Sequence, residues 1–190
     1  FQIHLADEES SFEDQFRINF SYEDKSRYDY WKRVEFTKSQ WSRIISHCKQ
    51  QNIIVGASVF SLEALKIAIE NKVDFLKAYE MLSPSQFKLL TELAKKNNLK
   101  LTGHVPLSIN VEIASSSGLN SIEHFRNIEL SMTEMTNDLL KERKEILKNK
   151  SALRGASLRS LLHNKQRMRS IYNLDSSKIK NVVEILAKND

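Results

Sequence analysis

Cysteine is almost absent: the 190-residue chain carries one, Cys48, so no internal disulfide can form, and its setting among helix-forming residues suits a reducing compartment. Cytoplasm is the default expectation. No apolar run approaches the roughly 20 residues needed to cross a bilayer, and no signal-peptide pattern opens the chain. A concentrated basic stripe is also missing. Lys and Arg number 29 against 24 Asp and Glu, for a net charge of +5, yet the basic residues keep company with acids, as in Lys141-Glu142-Arg143-Lys144-Glu145. Such mixing describes a solvated surface, and only residues 154–169 come near a nucleic-acid footprint. Neither nucleic acid nor membrane is therefore expected as a partner.

What is present is an alternation of apolar runs with helical periodicities. Residues 37–51 read as helix, 53–57 as strand, 62–71 as helix and 75–78 as strand. The cycle repeats with helix at 84–97, strand at 100–103, helix at 111–117 closed by Gly118, and strand at 121–123. Strands separated by helices in this way imply parallel βαβ units with right-handed crossovers. Residues 1–5 are a further strand candidate, and 6–35 a long polar connection dotted with aromatics, in which Tyr28 to Trp31 reads as a loop packed on a barrel rim. After His124 the pattern turns all-helical, with segments at 132–148, 157–171 and 176–187, as a helical C-terminal insertion or cap would.

The expected fold class is α/β: a partial TIM (β/α)8 barrel with parallel strands. Whole barrels of this type need about 250 residues. The chain opens on Phe1 inside an apolar run and stops at Asp190 where a strand would come next, so a fragment is expected, with a homo-oligomer or the remainder of a larger barrel as partner. An open half-barrel exposes strand edges and an apolar face, which favours self-assembly.

Polar residues sit where the apolar runs end: Lys77 in Phe75-Leu76-Lys77-Ala78, His104 in Gly103-His104-Val105-Pro106, and His124 in Ile122-Glu123-His124. Side chains just past buried strands point into a barrel mouth, where one lysine and two histidines from neighbouring strands can converge on a metal. Gly103 lets backbone pass close to a ligand, and Val105-Pro106 forces an extended exit from the strand. Glu123 is expected to point away from His124, because strand side chains alternate. For each residue alone there is a plainer alternative: a snorkelling strand-end lysine, or a hydrogen-bonded core histidine.

Two resemblances accompany these residues. Phe1-Gln2-Ile3-His4, Arg27-Tyr28-Asp29-Tyr30-Trp31-Lys32-Arg33, Glu35-Phe36-Thr37 and Ser58-Val59-Phe60-Ser61 make residues 1–75 resemble the sialic acid synthase family, whose barrel condenses phosphoenolpyruvate with an N-acylated amino sugar. That likeness implies that Gln2 contacts the sugar and that Ser58 and Lys77 hold the phosphate and carboxylate of phosphoenolpyruvate. In that family a lysine precedes the Phe-Gln pair, and this chain begins one residue after its place. The family's metal-binding histidines lie on later strands, and His104 and His124 do not match them by motif.

Residues 73–190 resemble the amidohydrolase superfamily, specifically its imidazolonepropionase-like metal-dependent hydrolases. The likeness is carried by Asp74-Phe75-Leu76-Lys77-Ala78-Tyr79, Gly103-His104-Val105-Pro106, Ser121-Ile122-Glu123-His124, Arg126-Asn127-Ile128-Glu129-Leu130, and Leu158-Arg159-Ser160 with His163. It implies that Lys77 is a carbamylated bridge and catalytic residue, that His104 and His124 are ligands of one or two divalent ions such as zinc, and that Arg126 and His163 meet the substrate. A bound metal would lower the pKa of water towards neutrality, and a carbamate on Lys77 would supply the bridging anion. The superfamily's His-x-His pair on a first strand and aspartate on a last strand are absent.

The segments expected are therefore a synthase-like partial barrel over 1–75, an amidohydrolase-like partial barrel over 73–126, and a helical cap over 127–190. The expected function is metal-dependent hydrolysis of amide or peptide C–N bonds. The alternatives are synthase-like condensation and a non-catalytic half-barrel that self-assembles. His163 can equally lie on a basic, solvent-facing helix with Arg159 and Arg167, and Ser157, Ser160 and Cys48 have no partnered base that would make them nucleophiles.

Overall fold

A computed structural model describes residues 1–10, 21–148, 158 and 160–189. The chain divides into two compact units, Phe1–Lys77 and Ala78–Asp190. Both are α/β with parallel strand pairing, and the β/α alternation is that of part of a (β/α)8 barrel, as the sequence pattern predicts.

The first unit runs β1 (Gln2–Ile3), α1 (Ala6–Glu9), α2 (Arg27–Val34), α3 (Lys38–Gln50), β2 (Gly56–Val59), α4 (Leu62–Glu70) and β3 (Phe75–Ala78), the last residue of β3 belonging to the second unit. β1 pairs with β2 and β2 with β3, both parallel. Ile3, Ala57, Val59 and Leu76 form the buried rows and pack with Trp41, Ile45, Leu65 and Ile67 from the helices. Each valine, leucine or isoleucine side chain withdrawn from water in this way contributes about 1.5–3 kcal/mol.

The expected loop over 6–35 is not one loop. α1 and α2 stand within it; Ser26 caps α2 by accepting from the Asp29 N–H, and Trp31 sits inside that helix, not in a rim loop. The polar composition hid a short helix whose hydroxyl cap outweighs its aromatic content. Residues 11–20 of this expectation lie outside the described residues.

The second unit continues with α5 (Pro84–Lys96), β4 (Lys100–Gly103), α6 (Val111–Ser117) and β5 (Ser121–Ile122), then a 3-10 turn (Glu129–Met132), α7 (Thr136–Lys148), a π-helical turn (Ser160–Gln166), α8 (Arg167–Tyr172) and α9 (Ser176–Lys188). The single helix expected over 132–148 is thus a 3-10 turn and then α7, and the one over 157–171 begins as a π turn, with Ser157 and Arg159 outside the described residues. Phe87, Leu90, Leu101, Val105, Val111, Leu130, Leu139, Leu162 and Val182 make this unit's core.

One joint recurs four times. α3, α4, α5 and α6 each end in a left-handed residue, Asn52, Lys72, Asn98 and Gly118, and the next residue's N–H returns to a carbonyl five positions back: Ile53 to Cys48, Val73 to Ala68, Leu99 to Ala94 and Leu119 to Ala114, at 2.9–3.2 Å. In two of the four, the residue after the joint clamps an earlier strand. Asp74 donates its N–H to Val55 O at 2.8 Å and accepts the Val55 N–H on its carboxylate at 2.6 Å. Asn120 does the same to Leu101 at 2.7 and 2.9 Å. The strand expected over 53–57 accordingly begins at Gly56, leaving Ile53 and Ile54 exposed.

Candidate functional site

Parallel register places the first unit's candidate residues. Gln2 is opposite Ser58 across β1 and β2, and Ser58 is opposite Lys77 across β2 and β3. Paired residues on adjacent parallel strands project to the same face, so Gln2, Ser58 and Lys77 form one polar row, while Ile3, Val59, Ala57 and Leu76 occupy the alternate apolar rows. Ser58 is buried, Lys77 half-buried and Gln2 exposed. The row therefore runs from exposed Gln2 through buried Ser58 to half-buried Lys77.

His4 stands beside this row, on the same face of its strand segment as Gln2. Its ring is stacked between Trp31, 3.8 Å away centroid to centroid, and Phe60, 4.2 Å away. Its Nδ1 lies 2.8 Å from Glu9 Oε2, and the other Glu9 oxygen accepts the Leu5 N–H at 2.9 Å. Sequence reasoning quoted His4 only as part of a motif. The signal it carried was two-residue spacing from Gln2 on a strand.

In the second unit, His104 follows β4 directly and is buried; its N–H donates to Ala78 O at 3.0 Å. Gly103 has φ of +129°, and a Cβ on it would fall 2.2 Å from that same Ala78 oxygen, so only glycine allows this approach. The His104 ring is 5.3 Å from Tyr79 and 5.1 Å from His124. Neither ring nitrogen has a hydrogen-bond partner among the described residues, although Nδ1 is 3.7 Å from a Glu80 oxygen.

His124 is exposed and has φ of +63°, and Phe125 and Asn127 share the left-handed conformation. That run overturns the expected separation of Glu123 from His124. The strand ends at Ile122, side-chain alternation stops there, and the Glu123 carboxylate comes within 3.7 Å of His124 Nε2. His104, Glu123 and His124 each offer a ligand atom, all within 4.8 Å of one another. Glu123 is thus brought into the cluster; a strand-period reading hides it, because only the left-handed turn brings it round.

A buried polar bridge supports this loop. Asn127 Nδ2 donates to Val105 O at 3.0 Å, next to His104, and Asn127 Oδ1 accepts from Arg143 Nη1 at 3.0 Å. Arg143 Nε donates to Gln166 Oε1 at 2.5 Å. Burial pulls the Arg143 guanidinium down to about 10, against the attraction of Glu129, Glu142 and Glu80. Arg126 is half-buried in the same loop, one residue before Asn127. His163 lies in the π turn, with its side chain outside the described residues, and Arg167 reaches Glu129 at 3.5 Å.

A family model described as the NeuB family matches residues 1–108. The chain belongs to the NeuB family. The match covers the Gln2, Ser58 and Lys77 row and runs past the expected limit near residue 75 to include His104. No curated protein and no solved structure matches the chain. The amidohydrolase resemblance is supported by none of these comparisons, and the NeuB match takes in residues 73–108 on which part of it was drawn.

Proposed function

We propose that this chain carries the phosphoenolpyruvate-binding part of a sialic acid synthase-like enzyme, which condenses phosphoenolpyruvate with an N-acylated amino sugar. The observation that supports it most is the single-face row of Gln2, Ser58 and Lys77 in a chain of the NeuB family. In this reading the Lys77 ammonium and Ser58 hydroxyl bind the anionic groups of phosphoenolpyruvate, a charge-assisted contact in a partly covered setting. Gln2 at the open end contacts the sugar. The enol carbon of phosphoenolpyruvate attacks the sugar's aldehyde carbon to form a C–C bond, water adds at the phosphate-bearing carbon, and inorganic phosphate leaves. Holding both reactants along one row converts their encounter into a local event.

Phosphoenolpyruvate protection against thermal unfolding tests this reading. A concentration 100 times Kd stabilises by about 2.7 kcal/mol, which shifts a small domain by several degrees. The shift is expected in the native chain and absent in Lys77→Ala. No shift at millimolar phosphoenolpyruvate in the native chain refutes the reading.

A second reading concerns a divalent cation, such as zinc, at His104, Glu123 and His124. It is favoured by the two nitrogens of the buried His104 ring, which have no hydrogen-bond partner among the described residues, and by ligand atoms within 4.8 Å of one another. Ligands of a tetrahedral zinc lie about 3.3 Å apart, from bonds of about 2.0–2.1 Å, so binding requires the exposed His124 to swing inward. The bound ion would act as a Lewis acid for a carbonyl oxygen. Metal analysis of the native chain against a His104→Ala/His124→Ala variant tests it, and equal metal content refutes it.

A further inference from the structure

The run from Glu123 to Asn127 is tied to the exit of β4 on both sides of His104. At its near end the Glu123 N–H donates to Gly103 O at 2.8 Å, and at its far end Asn127 Nδ2 donates to Val105 O at 3.0 Å. Gly103 and Val105 span at most about 7 Å of chain, whereas the four steps from 123 to 127 would reach about 14 Å if extended. The run must therefore coil. It does so through left-handed backbone at His124, Phe125 and Asn127, with φ of +63°, +51° and +69°.

Side-chain burial does not hold that backbone. Phe125 is 73 % exposed and the His124 side chain 58 % exposed, so two residues in a costly conformation gain little from packing. Asn127 is different: it is fully buried, and its carboxamide has one possible orientation. A backbone carbonyl can only accept and a guanidinium can only donate, so Nδ2 must face Val105 O and Oδ1 must face Arg143 Nη1, 3.0 Å away. Gln166 Oε1 fixes the guanidinium in turn by accepting from Nε.

We propose that Asn127 is a positioning residue for the candidate cation site: held by Arg143, it pins the far end of the run to Val105 and so folds Glu123 and His124 back towards His104. Without the Nδ2 tie the run is anchored at Glu123 alone. His124 and Phe125 then relax to right-handed or extended backbone, and the His124 ring leaves His104. The part of this inference that concerns metal rests on the divalent-cation reading; the folding of the run by Asn127 does not.

Asn127→Asp is the decisive variant, because a carboxylate still accepts from Arg143 but cannot donate to Val105 O. Val182→Ala, at a buried position of α9, controls for lost stability alone. The test begins on the full, ligand-free chain labelled with carbon-13 and nitrogen-15, in which nuclear Overhauser contacts are sought between the His104 and His124 rings, 5.1 Å apart by centroid. They are expected in the native chain and in Val182→Ala, and lost in Asn127→Asp. Asn127→Gly takes left-handed backbone freely but has no side chain; it should lose them too, and it decides the matter if the buried carboxylate prevents folding. Contacts that are absent from the native chain, that survive in the folded Asn127 variant, or that are lost equally in Val182→Ala overturn the proposal.

Zinc calorimetry on the same chains supplies the second arm. Removing a residue that orients metal ligands typically weakens binding about 10–100-fold. Asn127→Asp is expected to lose about tenfold, with Val182→Ala within about twofold of the native chain; the added negative charge would by itself favour the cation, so a fall reports geometry. Equal affinity in the native chain and Asn127→Asp overturns a positioning role. If the native chain binds no zinc, the cation reading fails, and the ring contacts still decide whether Asn127 folds the run.

Discussion

Replacing the neutral Gln166 should cost this protein more than replacing the charged Arg143 to which it is bonded. Arg143 is fully buried, and loss of solvent draws its guanidinium below its ordinary value, to about 10. At 1.36 kcal/mol per unit, that displacement corresponds to about 3 kcal/mol of unfavourable burial. The sign follows from protons bound: from about pH 10 up to the ordinary guanidinium value the unfolded chain holds a proton that the folded chain releases, so stability would rise only across that alkaline window, and from pH 5 to 9 the cost is constant. Two hydrogen bonds offset it, to Gln166 Oε1 and Asn127 Oδ1, while Nη2 has none among the described residues.

Gln166→Met leaves Nε of a buried cation without its acceptor, and breaking a buried charged contact in this way costs about 3–5 kcal/mol. Arg143→Met removes the charge and fills much of its volume, leaving two buried amide oxygens without donors but returning the burial cost, for a net loss of about 1–3 kcal/mol. The double variant is expected to be about 2 kcal/mol less destabilised than the sum of the singles, since each single strands a group that the other removes. Denaturant unfolding of the full chain measures all three. An Arg143→Met loss exceeding that of Gln166→Met by over about 1 kcal/mol, or additivity within about 0.5 kcal/mol, refutes the reasoning.

The clamps after the repeated helix joints give a paired prediction. Asp74→Ala and Asn120→Ala each remove the acceptor of one backbone N–H, at Val55 and Leu101, and should cost about 1–2 kcal/mol in the same unfolding assay; losses below about 0.5 kcal/mol would remove the clamps from the account of strand placement. Acid should unfold the chain partly through Asp24 and Asp7. Arg33, then Ser21, hold the Asp24 carboxyl below its usual range, and Tyr28, then Lys32, do the same to Asp7. The stability they supply is complete above their ordinary value of 3.8 and is lost as pH falls below it. A stability profile of Asp24→Asn from pH 5 to 2 should therefore be shallower than that of the native chain, and an unchanged slope would contradict it.

The β/α order was legible because each helix and strand keeps its own period. The strands at Phe75–Ala78 and Lys100–Gly103 and the helix at Val111–Ser117 fall where apolar spacing puts them, with Gly118 left-handed at the helix end. Strand parity also aligns Ser58 and Lys77, because the residues in register alternate in step. What periodicity misses is backbone that leaves it. Glu123 was misplaced because three of the next four residues adopt positive φ, a conformation that non-glycine residues do not announce in sequence. Arg143 sits in a run of charges that reads as solvated surface, yet it is held inside by partners 16 and 23 positions away, and no local pattern encodes that separation. His4 was overshadowed for a related reason: its aromatic neighbours come from α2 and the turn after β2, far along the chain.

Two glycines separate strain in general from strain at the histidine cluster. Gly103 and Gly118 both have positive φ, +129° and +115°, so alanine at either should pay a backbone cost of about 1–3 kcal/mol. At Gly118 the new methyl meets the Lys95 Cε at 2.8 Å, the end of a flexible side chain that can move aside. At Gly103 it meets the Ala78 carbonyl oxygen at 2.2 Å and the Ala78 nitrogen at 2.8 Å, and that carbonyl is the acceptor of the His104 N–H. Backbone cannot yield there without releasing His104 from its place. Gly103→Ala should therefore lose the hydrogen bond as well, about 1 kcal/mol beyond Gly118→Ala, and should weaken zinc binding by the folded chain at a temperature where Gly118→Ala binds normally. Equal stability and equal zinc affinity in the two variants would mean that the tight approach of Gly103 to Ala78 does not hold His104 for a ligand.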